Sequence, residues 1–159
     1  MSEGVEWALH TCANLACADP GEAVPAKRLA AAFALPTAYL NKQLQALARA
    51  GILTSTSGPR GGFRLARAPG AISLLDVVVA IEGAEEAFRC ASILRASPWG
   101  REGVDYRATC AVSQAMRRAE LAWRRELAGQ TIADIAATVE NRHPGTAERV
   151  GGWLTEARG

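Results

Sequence analysis

Apolar residues along this chain recur mostly every third or fourth position and alternate over one short stretch, which predicts a mainly helical protein with a single small hairpin. Val5, Leu9, Cys12 and Ala16 share one side of a first helix over about residues 5–18, which stops at ADPG. A short second helix starts near Pro25, whose fixed φ suits a first helical position, and turns Leu29, Ala30 and Phe33 inward. After the breaker LPT, a third helix runs through AYLNKQLQALARAG. Leu40, Leu44 and Leu47 form its buried stripe, Thr37 is its expected N-cap and Gly51 its stop.

The period then changes. In ILTSTSGPRGGFRLAR, Ile52 and Leu53 lead into a turn rich in Ser, Gly and Pro, and FRLAR alternates as a strand does, so this segment reads as a β-hairpin. Ser73 caps a fourth helix, LLDVVVAIEG, whose all-round apolar centre predicts burial. A loop over residues 84–109 holds Pro98, Trp99, Gly100 and Gly103. A long amphipathic helix follows over residues 111–128, with Val112, Met116, Ala119, Trp123 and Leu127 on one side and Gly129 at its end. Thr131 and Asp134 have the spacing of a capping box before IADIAATV, and beyond Glu140 the chain is polar and Gly-rich until Trp153 and Leu154.

Three short helices followed by a hairpin with a basic tip form the winged helix-turn-helix plan, in which the third helix enters the major groove and the wing reaches the neighbouring backbone or minor groove. The expected organisation is a winged helix-turn-helix DNA-binding domain over residues 1–83, a loop over 84–110, dimerisation helices over 111–139 and a C-terminal tail over 140–159. The long helix has an apolar stripe with two possible covers, its twin in a homodimer or the rest of its own chain. A dimer matches two half-sites one helical turn apart on double-stranded DNA.

Charge sharpens the DNA reading. The net charge is only +2, but residues 23–75 contain no Asp or Glu while Lys27, Arg28, Lys42, Arg49, Arg60, Arg64 and Arg67 all fall there. A one-signed segment coinciding with helices two and three and the wing is the footprint of a surface that meets phosphates. The residues expected at DNA are Lys27, Arg28, Thr37, Tyr39, Asn41, Lys42, Ser57 and Arg60. Lys42 and Arg60 are expected on phosphate or in the minor groove, and Asn41 on a base edge.

Composition narrows the rest. The longest apolar run is interrupted by Asp76, and MSEGVEW lacks the basic and apolar regions of a signal peptide, so no membrane is expected and the location is cytoplasmic. In a reducing compartment, four cysteines suit buried thiols, metal ligands or redox sensing better than a disulfide framework. No nucleophile paired with a base, phosphate loop or cofactor fingerprint is present, so neither an enzyme nor a small-molecule substrate is expected.

The stretch VEWALHTCANLAC carries candidate chemistry. Glu6 and His10 lie one turn apart and project from the same helix face, with Trp7 about 100° around from them. Taken alone they read first as a helix N-terminal acid favoured by the dipole and a core histidine hydrogen-bonded to it. Cys12 shares the Val5 and Leu9 stripe and is a small core residue. Cys17 lies seven residues beyond His10, roughly 10 Å along the axis, and is also structural.

The segments YLNKQLQALARAGIL, GPRGGFRLAR, AISLLDVVVAIEG and TIADI together resemble the Rrf2 family of bacterial transcription regulators, over almost the whole chain. The resemblance implies a dimeric winged helix-turn-helix regulator, and in several members an iron–sulfur cluster between subunits. The common family pattern has three closely spaced cysteines before the dimerisation helix; here only Cys90 and Cys110 occupy that region. With GVEWALH and FRC, this looks like the RsrR subgroup, whose 2Fe-2S cluster takes two cysteines from one subunit and a Glu and a His from the other. Carried over by position, the ligands are Cys90, Cys110, Glu6 and His10, and Trp7 becomes a candidate redox relay. The chemistry is compatible, since His replaces Cys on one iron of Rieske centres and a carboxylate suits ferric iron. Two alternatives stay open: a cluster-free switch in which Cys90 and Cys110 form a disulfide, and a zinc site built from the same four residues.

Overall fold

The computed structural model of the chain describes residues 1–156. Its core forms where the apolar stripes of the first helices converge. Helices α1 (Glu3–Leu15), α2 (Ala26–Ala31) and α3 (Thr37–Arg49) close around Cys12, Leu29, Leu40, Leu44 and Leu47, all screened from solvent. The buried face of α1 is Val5, Ala8, Cys12 and Leu15, so Leu9 lies at its margin rather than on its centre line. The helix also ends earlier than its apolar spacing predicts, at Leu15 rather than residue 18, because the amide of Cys17 already turns back to the carbonyl of Asn14 at 3.0 Å. Phe33 is half-buried rather than inward.

Between α2 and α3 the chain reverses at Ala34, which takes a left-handed φ of 52°, and the amide of Leu35 closes the turn on the carbonyl of Ala30 at 3.0 Å. Thr37 does not cap α3. Pro36, in extended conformation, occupies that position and Thr37 is the first helical residue. The far end stops where expected: Gly51, at φ 69°, sends its amide to Ala48 and the Ile52 amide to Leu47, both at 3.0 Å. These are the paired bonds of a Schellman motif.

Strands β1 (Leu53–Thr56) and β2 (Gly62–Leu65) pair antiparallel from Leu53 opposite Leu65 to Thr56 opposite Gly62, leaving residues 57–61 as the tip. The wing is joined to the body by a bridge in which Val24 and Phe63 exchange both backbone hydrogen bonds at 2.8 Å.

Helix α4 (Leu74–Glu82) begins with a reciprocal capping box between Ser73 and Asp76. The predicted loop contains a 3-10 turn at Ile93–Ala96 and a single-turn helix α5 (Tyr106–Thr109). Helix α6 (Ala111–Ala128) has the predicted span. Along it only Ser113 is buried, while Val112 and Leu121 are 61% and 60% exposed. Thr131 and Asp134 form the second capping box, opening α7 (Ile132–Arg142). A short bridge between Ser73 and Thr131 locks the starts of α4 and α7 together, which places Ile132 in the same core as Leu29 and Leu40.

The last segment is not an open tail. Residues 146–155 form helix α8 (Thr146–Thr155), and Leu154 joins the first domain's core. Its start is held by Glu140, whose carboxylate accepts from the amides of Gly145 at 2.5 Å and Ala147 at 2.9 Å; these bonds hold the Glu140 pKa below the usual carboxylate value. Its body lies so close to the end of α1 that a Cβ at Gly151 would sit 2.4 Å from the Cys17 carbonyl. Ile132 of α7 and Leu154 of α8 thus pack into the same core as residues of α1, α2 and α3. No helix among the described residues is long and apolar enough to cross a membrane.

Candidate nucleic-acid interface and metal-ligand residues

The Leu40, Leu44 and Leu47 stripe anchors α3 in the core and so fixes which positions face outward. Tyr39 is 63% exposed, Asn41 and Lys42 are exposed beside it, and Thr37 is half-buried. Lys27 on α2 is exposed, as are Ser57 and Arg60 at the tip of the wing. Among the described residues no ion pair engages Lys27, Lys42 or Arg60, which leaves their charge free for phosphate.

Arg28 is engaged within the chain. Its Nε donates to the Trp153 carbonyl at 2.8 Å, its terminal nitrogen donates to the same oxygen, and its guanidinium stacks 3.5 Å from the centre of the Trp153 ring. Arg28 thus fastens α8 to α2 through hydrogen bonds and a cation–π contact. Arg67 is likewise tied, to the Ala71 carbonyl at 3.0 Å and to Asp76 at 3.7 Å. Charge alone could not separate these internal struts from the free cations.

A contact that sequence spacing does not reveal joins the two candidate sites. Trp7 on α1 and Tyr39 on α3 meet edge to face, with ring centroids 6.4 Å apart and planes at 88°, a favoured aromatic geometry. Trp7 is flanked on its own helix by Glu6 and His10, which are exposed. The His10 ring lies 6.1 Å from that of Phe33. Beside His10, between α1, α4 and α7, is an apolar cavity of about 260 Å³.

Cys90 lies in the loop after α4, and Cys110 occupies the cap position of α6; both are half-buried free thiols. Among the described residues no three of His, Cys, Asp and Glu gather closely enough to hold a metal ion, so one subunit does not assemble the four candidate ligands. As a donor set they suit iron: two soft thiolates, one imidazole and one hard carboxylate, with no hydrogen bond or ion pair among the described residues engaging the Glu6 or His10 side chains.

The other two cysteines are separated by environment. Cys12 is completely buried and desolvation pushes its pKa up to about 12; burial and then the nearby Glu140 charge raise that of Cys17. The thiolate is the reactive form. In native, metal-free protein at pH 8, a maleimide is therefore expected to modify Cys90 and Cys110 while Cys12 stays unmodified until the chain unfolds, as read by peptide mass mapping. Fast native labelling of Cys12 would contradict the packing described above.

Residues 1–138 match the Rrf2 family, described as an iron-dependent transcriptional regulator. Among curated relatives, protein aau3 of Rhizobium meliloti is 34% identical over 120 residues, covering 75% of this chain and 74% of its own. YffB of Lactococcus lactis, named as a candidate HTH-type transcriptional regulator, is 29% identical over 136 residues, 86% of each chain. Two solved structures share the fold with a TM-score of 0.67. CymR, the global cysteine regulator of B. subtilis, is 22% identical and aligns 87% of this chain with 96% of its own. IscR of T. potens is 21% identical over 90% of both chains. With a helix-turn-helix, a wing and a match spanning most of its length, this chain belongs to the Rrf2 family of DNA-binding transcriptional regulators.

Proposed function

We propose that this regulator is a cytoplasmic homodimer that senses redox state through a 2Fe-2S cluster held at the subunit interface by Cys90 and Cys110 of one subunit and Glu6 and His10 of the other. The observation that carries the reading is the Trp7–Tyr39 contact, which joins the helix bearing Glu6 and His10 to the outward face of α3. Val112 and Met116, exposed one turn apart on the same face of α6, support a partner helix there, since an apolar face on a long helix needs a cover.

When bound, the cluster supplies a one-electron change of charge at the interface. The residues of the chain do the rest. Glu6 and His10, on consecutive turns, orient toward one point; a change in the field at that point alters the packing of α1 and hence of Trp7 against Tyr39. Two packed arrangements of the same interface are biased by such a local charge change, and operator affinity shifts only by the differential free energy between them.

The test is the affinity of oxidised and reduced protein for a duplex selected from a random pool, for wild type and Trp7→Ala. Wild type should differ between the two states by several-fold or more, and Trp7→Ala should bind with one affinity in both. A Trp7→Ala protein that keeps the full difference would end the relay. On the same duplex, Arg60→Ala should lower affinity and reduce the slope of log affinity against log salt by about 1, the effect of one lost phosphate contact. An unchanged slope would remove Arg60 from the phosphate surface.

A further inference from the structure

We infer that the apolar cavity beside His10 is a receptor for Ile93 of the partner subunit, so that each cluster-binding loop is seated by an aliphatic anchor as well as by its cysteines. This rests on the proposed sharing of ligands between subunits. The cavity is lined by Leu9, His10, Ala13, Leu74, Ile132 and Ile135, five apolar side chains and the candidate ligand itself. Its volume of about 260 Å³ accommodates a branched aliphatic side chain.

The matching part is on the loop. Ile93 is 77% exposed, yet the turn that presents it is well built. Ser92 adopts a left-handed φ of 53° immediately before it, a conformation unusual for a non-glycine residue and worth maintaining only where the surroundings require it. The Ser97 hydroxyl donates to the Leu94 carbonyl at 2.7 Å, and the Gly100 amide to the Ser97 carbonyl at 2.9 Å. A Cβ at Gly100 would lie 2.5 Å from the Leu94 carbonyl, so this tight turn depends on glycine. The loop thus spends backbone strain to hold a large aliphatic side chain outward with no cover of its own.

Reach brings the two parts together. Ile93 follows Cys90 by three residues, at most about 10 Å of chain, and the cavity begins at His10 itself. If Cys90 of one subunit meets His10 of the other, Ile93 lies within range of that cavity. An uncovered aliphatic group and an empty apolar socket then fall at one place, and their union removes both from water.

The experiment uses the full chain with Ile93→p-benzoylphenylalanine, prepared iron-free and reduced, as an equal mixture of isotopically light and heavy copies. Irradiation should yield light-to-heavy cross-links from position 93 to Leu9, Leu74, Ile132 or Ile135 of the partner subunit. Ile93→Ser, which empties both seats of the symmetric pair, should raise the dimer dissociation constant about a hundredfold in sedimentation, from aliphatic burial lost twice, with the helical circular dichroism of the subunit unchanged. Cross-links within one copy, cross-links to any other surface, seating of Trp99 there instead, or an unaltered dissociation constant would each overturn the inference. Visible absorbance of the iron-loaded wild type reads the cluster separately. Cross-links into the cavity without a cluster would leave the socket standing and the cluster rejected, and a cluster with cross-links elsewhere would do the reverse.

Discussion

Gly62→Ala should detach the wing from the body of the protein. Gly62 has φ 151°, in a region an L-residue rarely adopts, and a Cβ there would lie 2.3 Å from the Val24 carbonyl oxygen and 2.7 Å from the Pro25 nitrogen. The obstacle is backbone on both counts and cannot swing aside as a side chain would. Relief requires opening the bridge in which Val24 and Phe63 exchange hydrogen bonds at 2.8 Å. The strained conformation costs about 1–3 kcal/mol and each of the two lost hydrogen bonds about 1 kcal/mol, so urea denaturation should show a loss of about 3–5 kcal/mol. Operator affinity should fall by roughly tenfold or more, the size of a lost contact of a little over 1 kcal/mol, because Arg60 no longer has a fixed position. Gly58→Ala provides the contrast. Its φ is 102° but nothing lies within 4 Å of the added carbon, so only the conformational cost of about 1 kcal/mol should appear. Equal effects at the two positions would mean that the bridge does not hold the wing.

Several local signals in the sequence match the structure. The bounds of α6 follow from its amphipathic period and Gly129, and the cap at Ser73 and the box at Thr131 form as expected. Helix α8 was missed because its own sequence, with Gly151 and Gly152 in its middle, disfavours helix; its stability is tertiary. It depends on Glu140 capping its first turn and on Arg28, 125 residues away, gripping Trp153. The same long-range pairing gives Arg28 an internal partner that its charge alone does not reveal. Thr37 looked like a cap because threonine often is one, yet the preceding proline takes the extended conformation that the cap position requires.

The candidate site divides in the same way. Glu6 and His10 share a face because helical spacing dictates it, and that was legible. What joins them to DNA was not, since Trp7 meets Tyr39 only through the packing of α1 on α3. Cys12 could be set aside from its place in the stripe, and its burial and raised pKa agree. Residue order alone could not show whether Cys90 and Cys110 face Glu6 and His10 within one chain or between two.

That last relation has the largest functional consequence and is open to a decisive measurement. Cys90→Ala/Cys110→Ala keeps Glu6 and His10, while Glu6→Ala/His10→Ala keeps both cysteines. Each homodimer should be colourless after anaerobic iron and sulfide reconstitution, because every site lacks half of its ligands. A heterodimer of the two variants recreates one complete site, with cysteines from one chain and Glu6 and His10 from the other. Visible absorbance of the co-expressed, doubly tagged heterodimer should return to about half of the wild-type value per dimer, one site of the two in a symmetric pair. A colourless heterodimer beside a brown wild type would contradict a cluster shared between subunits, and a colourless wild type would contradict the cluster itself.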